Sequence, residues 1–275
     1  MPADRLVDAL RLIESWAADH AAAAVVLPRG VVATVGDADR PFRWASVTKL
    51  VTALAVLRAI DGGLVGLDEP AGPPGATVRH LLGHASGLPF EGRDPIAAPA
   101  TTRIYSNAGF DRLGELLAER RGRSSGHELA RAVLDPLGMT STRLDGRPSD
   151  GLVGPLRDLG ALAAELLRPT LVRSATFAAA TSVAFPGLRG ILPGFGRYDP
   201  LDWGLGFELR DGKEPHWTGA RTTASTFGHF GGTGTFLWVD PMADVALAVL
   251  TDRPFGPWAV EAWPALSDAV LEALA

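Results

Sequence analysis

Leu6, Leu10, Ile13 and Trp16 recur at helical spacing near the start of the chain and predict a first helix with one buried stripe. The apolar run "AVVLPRGVVATV" then reads as two β-rich stretches around a Pro-Arg-Gly turn, a hairpin. "VTKLVTALAVL" predicts a helix that is apolar over most of its surface. Beyond it Pro and Gly are dense, and "RHLLGHAS", "NAGFDRLGELLAERRG" and "GHELARAVLDPLG" read as short helices ending at glycines. "LRDLGALAAELLRP" predicts another, stopped by Pro169. From about Trp203 the texture turns to strand, in "WGLGFEL", "STFGHFGGTGTFLWV" and "VALAVLTD", the last two around an Asp-Pro-Met-Ala-Asp turn. A closing helix carries Trp263, Leu266, Val270 and Leu274 on its stripe.

Strand signals therefore stand at both ends of the chain and helices fill the middle. The simplest arrangement is one antiparallel sheet built from both termini, flanked by the N- and C-terminal helices, with a mostly helical lobe inserted. The expected class is α/β, of the α+β kind. All 275 residues would form a single unit, with an α/β lobe over about 1–60 and 172–275 and a helical lobe over about 61–171.

Composition narrows the chemistry. With 47% hydrophobic residues the chain can bury a sizeable core, and a net charge of −5 gives no footprint for nucleic acid or an anionic membrane surface. The chain has no cysteine, which removes disulfides and thiolate chemistry. "MPADRLVDALRLIESW" is an amphipathic pattern and not a secretory leader, and "AAAAVVL" is too short to span a bilayer. These features predict a cytoplasmic protein.

The candidate chemistry starts at Ser46 and Lys49, three apart and so on one face of a helix. Ser46 could merely cap that helix. Yet of 26 Lys and Arg only two are Lys, at positions 49 and 213. Arginine cannot give up its proton in a protein, whereas a desolvated lysine can, and a serine hydroxyl needs a neighbouring base to attack. Bringing a lysine from roughly 10.4 to near 7 asks for about 4 kcal/mol of burial and repulsion, which an apolar helix start can supply.

The second feature is "RIYSNAGFDRLG". Tyr105 is one of two tyrosines, and Asn107, two residues on, is the sole asparagine. A phenol can relay protons beside a lysine, and a side-chain amide can hold a substrate carbonyl. The bland alternatives are a core tyrosine and a helix-capping asparagine. The third is "FGHFGGTGTFLWVDP", where glycines crowd His229. A phosphate cradle would be followed by a helix and a Lys or Ser/Thr ligand; here strand texture follows. Glycines in a strand mark close backbone approach, which suits an edge strand offering an N–H to an oxyanion.

Ser46-Val47-Thr48-Lys49, Tyr105-Ser106-Asn107 and His229-Phe230-Gly231 together resemble the three motifs of serine β-lactamases and penicillin-binding proteins. The Tyr-x-Asn form is similar to the subgroup of class C β-lactamases, D-alanyl-D-alanine carboxypeptidases and their esterase relatives. "RHLLGHASGLP" and "LDPLGMTST" resemble that family's connecting segments, so the likeness runs over roughly residues 42–253. The resemblance implies Ser46 as the acylated nucleophile, Lys49 and Tyr105 sharing the proton transfers, and Asn107 holding the acyl-side carbonyl. It places His229 where the family has Lys or His, beside Gly231, and gives the oxyanion to the backbone N–H groups of Ser46 and Gly232. No cofactor is implied.

Two departures shape the expected activity. Phe230 stands where the family usually has a hydroxyl residue that helps hold a substrate carboxylate, and His229 is a weaker, pH-dependent cation than lysine. Both favour neutral, apolar acyl substrates. The reading is a serine hydrolase acting on a small-molecule ester or amide, esterase favoured over β-lactamase or D-Ala-D-Ala carboxypeptidase, with a ligand-binding sensor that does not turn over as the rival of another class. The sequence leaves the oligomeric state open. His80 and His84 have the spacing of zinc ligands, but position 81 is Leu where a metalloprotease needs Glu, so no metal site is expected. Asp158 reads as a helix cap. The lack of a Gly-x-Ser-x-Gly elbow speaks against an α/β-hydrolase, and the single asparagine rules out the separate Glu-x-x-Leu-Asn motif of class A enzymes.

Overall fold

The computed structural model describes residues 2–275. Its main sheet has six strands: β1 (Ala21–Leu27), β2 (Gly30–Val35), β3 (Glu208–Leu209), β4 (Phe227–Phe230), β5 (Phe236–Asp240) and β6 (Val245–Thr251). The order is β2-β1-β6-β5-β4-β3, and every neighbouring pair is antiparallel. The N-terminal hairpin thus joins the C-terminal meander along β1 and β6, where Ala21 pairs with Thr251 and Val26 with Ala246. This is the antiparallel sheet built from both chain ends that the sequence predicts.

Both faces of the sheet are covered, which explains why β1 and β6 are unbroken apolar runs instead of alternating ones. Ala22, Ala24 and Val26 face one core; Ala23 and Val25 face the other. Helices α1 (Pro2–Leu10) and α5 (Pro257–Leu274) pack on each other over the second face, with Leu6, Leu10, Trp263, Leu266 and Val270 buried there. The first face carries α4 (Leu156–Leu167), which lies against β1, β2, β5 and β6. Sequence order alone put that helix in the inserted lobe; its stripe of Leu159, Leu162, Ala163 and Leu166 instead fills the sheet-facing core. In front of it runs α2 (Thr48–Asp61), buried on all sides from Thr48 to Leu57, and against α2 packs α3 (Asn107–Arg121). Among the described residues no helix is long and apolar enough to cross a membrane.

"WGLGFEL" does not form one strand. The chain doubles back through Gly206 (φ +94°), and only Glu208–Leu209 joins the sheet. A Cβ at residue 206 would lie 2.2 Å from the Ala53 side chain, so the tight passage over α2 requires glycine. β3 is therefore the sheet edge. It covers Phe227 and Gly228 of β4 but not His229 and Phe230, so the strand expected at the edge is inside it for its first half.

Candidate active site

Three segments converge at the open end of β4. The first is a 3₁₀ turn, Ala45–Val47, leading into α2. Ser46 does not cap the helix; its neighbour Ala45 sits at φ +45°, a costly conformation for a residue with a Cβ. Surrounding bonds hold it there. Trp44 N–H donates to Leu152 O (2.9 Å), Trp44 Nε1 donates to Gly154 O (3.0 Å), and Trp44 O accepts from Thr235 Oγ1 (2.9 Å). Gly231 presses on the same turn: a Cβ there would meet Trp44 O at 2.6 Å and Ala45 Cβ at 2.9 Å. Glycine at 231 is thus demanded by the approach of the strand to the serine turn.

One turn along α2, Lys49 is fully buried and its Nζ donates to Ser46 Oγ (3.0 Å), Asn107 Oδ1 (2.6 Å) and Ser149 O (2.9 Å). Burial draws its pKa from 10.5 to about 7; Asp150 and Asp111 pull the other way, and Arg147 adds to the fall. The amine is therefore about half neutral near pH 7, the condition under which it can take a proton from a hydroxyl.

The second segment carries Tyr105 and Asn107. His84 grips the chain on either side of the tyrosine: its backbone O accepts from Ile104 N (2.9 Å) and its Nδ1 accepts from Ser106 N (3.1 Å). The His84 ring lies 4.7 Å from the Tyr105 ring, which Trp203 and Phe90 also flank. Burial pushes the Tyr105 phenol well above its ordinary value, against a hydrogen bond with Ser46, so it stays protonated. Lys49 Nζ stands 4.9 Å from the centre of its ring. The cap of α3 is Ser106, whose Oγ accepts from Gly109 N (3.0 Å); Asn107 is inside the helix, with its amide spent between Lys49 and Glu91 Oε1 (3.0 Å).

The third segment is β4 and the turn after it. His229 Nδ1 lies 2.7 Å from Phe230 O, so Nδ1 carries the hydrogen and the Nε2 lone pair faces Tyr105 Oη at 3.5 Å. The sequence expectation of a weak cation at 229 is corrected here. Burial, reinforced by Lys49, lowers the histidine to about 3, so it is a neutral acceptor at any physiological pH. Phe230 points to the opposite face of the sheet, among Phe195, Trp217, Phe255 and Trp263, and is also one of the residues that line the cavity. Ser46, Tyr105, Asn107, His229 and Gly232 all line one cavity of about 230 Å³ over Ser46, walled also by Phe90, Trp203 and Phe255.

Several contributors carry no sequence signal. Ser149 acts on Lys49 through its carbonyl, which any residue possesses. Arg147 clamps Glu91 (2.6 and 3.0 Å) and Asp150 (2.6 Å), building a charged wall behind Asn107. His84 was visible only as half of a His pair, and that pair separates. His80 Nδ1 lies within bonding distance of Thr77 N and Oγ1 at the start of its own short helix, while His84 is buried behind Tyr105. Asp158 accepts from Ser141 N and Thr142 Oγ1 and caps nothing.

The β-lactamase family model matches residues 14–271. This chain belongs to the β-lactamase family. Among solved structures, a β-lactamase from Mycobacterium bovis is 52% identical, with a TM-score of 0.95 over 97% of this chain and 99% of that one. Curated relatives match over shorter spans. The D-alanyl-D-alanine-carboxypeptidase/endopeptidase AmpH of Escherichia coli K12 is 29% identical over 40% of this chain and 38% of its own. Esterase EstB of Burkholderia gladioli is 33% identical over 46% of this chain and 40% of its own. The chain thus spans about two fifths of the length of these curated relatives. The proteins this chain is similar to are thus named as a β-lactamase, a carboxypeptidase/endopeptidase and an esterase, and it shares its fold with the first.

Proposed function

We propose that this protein is a serine hydrolase working through an acyl-enzyme, with esters as its preferred substrates. The observation that carries the reading is the fully buried Lys49 amine, lowered to about 7, at 3.0 Å from the hydroxyl of Ser46. Ser46 Oγ attacks the substrate carbonyl while its proton passes to Lys49. The backbone N–H groups of Ser46 and Gly232, two residues that line the cavity, receive the oxyanion. Tyr105, kept protonated by burial, hands a proton to the departing alkoxide and is recharged from Lys49. His229 accepts from the phenol and fixes its direction. Asn107 and the Ser149 carbonyl hold Lys49 in line. Water then repeats the sequence on the acyl-enzyme.

Esters are favoured over penicillins and D-Ala-D-Ala peptides because, among the described residues, no Lys or Arg side chain lines the Ser46 cavity to hold a carboxylate. His229 is neutral, Phe230 is apolar, and the Thr233 and Thr235 hydroxyls donate to the carbonyls of Arg43 and Trp44. The second reading, β-lactam hydrolysis, draws support from the 52% identical protein named for that activity. Turnover of short aryl esters and of a penicillin by wild type and Ser46→Ala decides between them. Ester hydrolysis that falls at least about a thousandfold in the variant, with slow or no lactam turnover, supports the esterase. Faster lactam than ester turnover supports the lactamase. A lasting penicillin adduct with no turnover of either overturns both in favour of a sensor.

A further inference from the structure

The cavity over Ser46 adjoins a second one of about 550 Å³, and the two share Phe90, Tyr105 and Pro193 as walls. One wall of this groove is a small hairpin, Gly190–Leu192 against Gly196–Tyr198, in which Ile191 stands opposite Arg197. Cross-strand partners share a face and side chains alternate along a strand, so Arg189, Ile191 and Arg197 project to the same side. All three line the groove, with Ile191 57% exposed. The hairpin is tied to the tyrosine's own segment: Arg103 N and Thr102 Oγ1 both donate to Arg189 O at 2.9 Å. The groove therefore keeps a fixed position relative to the Tyr105 phenol.

Its charge is one-sided. Among the described residues no acidic side chain lines it, although the chain as a whole carries −5. The Arg103 guanidinium is spent on the carbonyls of Leu201, Gly83, Ala184 and Phe185. Those of Arg189 and Arg197 have no ion-pair partner among the described residues. An apolar trough that adjoins the cavity of the nucleophile and carries two guanidinium groups without ion-pair partners among the described residues matches a substrate chain that is apolar near the scissile bond and anionic beyond it.

We propose that this groove binds the tail of an amphipathic ester whose apolar chain ends in a carboxylate or phosphate, held by Arg189 and Arg197. The proposal rests on the serine hydrolase reading and adds to it a class of substrate. It also accords with the lack of a cationic side chain lining the Ser46 cavity among the described residues, since the anion is recognised away from the reacting carbonyl.

The test is a series of aryl hemi-esters of dicarboxylic acids of increasing length, with their neutral methyl-capped counterparts, and a second series with the anion, as carboxylate or phosphate, on the alcohol side. The expected result is an optimum chain length at which kcat/KM for the anionic ester exceeds that of its neutral counterpart by about tenfold at low salt, shrinking as salt screens the arginines. In Arg189→Gln/Arg197→Gln the ratio falls to about one, and in the double Glu variant it inverts. The single Gln variants and melting curves guard against a folding defect. Equal kcat/KM for anionic and neutral esters at every length in both wild-type series overturns the groove assignment while leaving the hydrolase intact. Ester turnover that survives Ser46→Ala overturns the hydrolase reading itself.

Discussion

Lys49 Nζ lies 3.0 Å from Ser46 Oγ, and neither atom's position depends on the other alone. Ser46 is fixed by the strained turn that Gly231 and Thr235 press from one side, and Lys49 by Asn107 and the Ser149 carbonyl from the other. Because burial places the amine near 7, activity should rise with pH through about 7 as Lys49 loses its proton. Lys49→Arg keeps the charge and cannot take a proton. Its kcat/KM should fall at least about a thousandfold, comparable to Ser46→Ala, with an unchanged far-ultraviolet circular dichroism spectrum. Appreciable ester turnover by the arginine variant would refute the base assignment.

Asp150 lines the Ser46 cavity and opposes the main effect, burial, on Lys49: its negative charge holds the lysine pKa up. Asp150→Asn removes that charge, so the lysine should deprotonate at lower pH and the acid limb of the kcat/KM profile should move to lower pH. A limb that stays in place or moves upward, read from full pH–rate profiles, would show that another group controls it.

His84 accepts the backbone N–H groups on both sides of Tyr105, one with its carbonyl and one with its ring. Asparagine places an oxygen where Nδ1 stands; leucine, of similar shape, does not. His84→Leu should lower kcat by about tenfold to a hundredfold through a displaced phenol, while His84→Asn keeps most of it. Asparagine also suits the φ of +53° at this position, so melting curves are read in parallel. With two tyrosines in the chain, fluorotyrosine labelling gives two resonances, assigned with Tyr198→Phe, and that of Tyr105 should shift in the leucine variant only.

Glu208 is buried completely, accepting from His216 Nε2 (2.9 Å) and Trp217 Nε1 (2.8 Å) with Lys213 Nζ at 3.2 Å. Burial alone would raise its pKa, but His216 and Lys213 overcome this and hold it at about 2, below its ordinary 4.5. A carboxyl lowered in the folded state contributes stability that is complete above the unfolded value and is lost as pH falls. Denaturant unfolding should therefore show stability declining between pH about 4.5 and about 2. In Glu208→Ala, which leaves the buried Lys213 without its carboxylate partner, stability at pH 7 should drop by about 3–5 kcal/mol, and most of that pH dependence should disappear.

The parts legible in the sequence are those written in side-chain periodicity. The hairpin before the serine, the strands of "STFGHFGGTGTFLWV" and the helix ends at Gly83 and Gly122 follow from residue type alone. Rarity did the rest: the sole asparagine and one of two lysines meet at 2.6 Å. What stayed hidden is carried by backbone and burial. Nothing in the letters marks the Ser149 carbonyl, or that Gly206 turns the chain back so that only two residues of "WGLGFEL" reach the sheet. The charge state of His229 is not legible in the sequence because a histidine's spacing says nothing of its solvent, and full burial leaves this one neutral. Lys213, the other lysine, is also buried, where it holds Glu208 and the Asp202 carbonyl beside the last strand of the sheet.

The central claim is that the hydroxyl at position 46 becomes acylated because a neutral amine takes its proton. Intact-mass spectrometry of acid-quenched reactions with an activated ester tests this directly. Wild type should gain the mass of one acyl group, mapped by peptide fragmentation to Ser46 and disappearing as substrate is exhausted, with a slower gain below pH 7 and none in Lys49→Arg. An adduct on any other residue, or ester turnover with no adduct at any quench time together with full activity in Ser46→Ala, would contradict it.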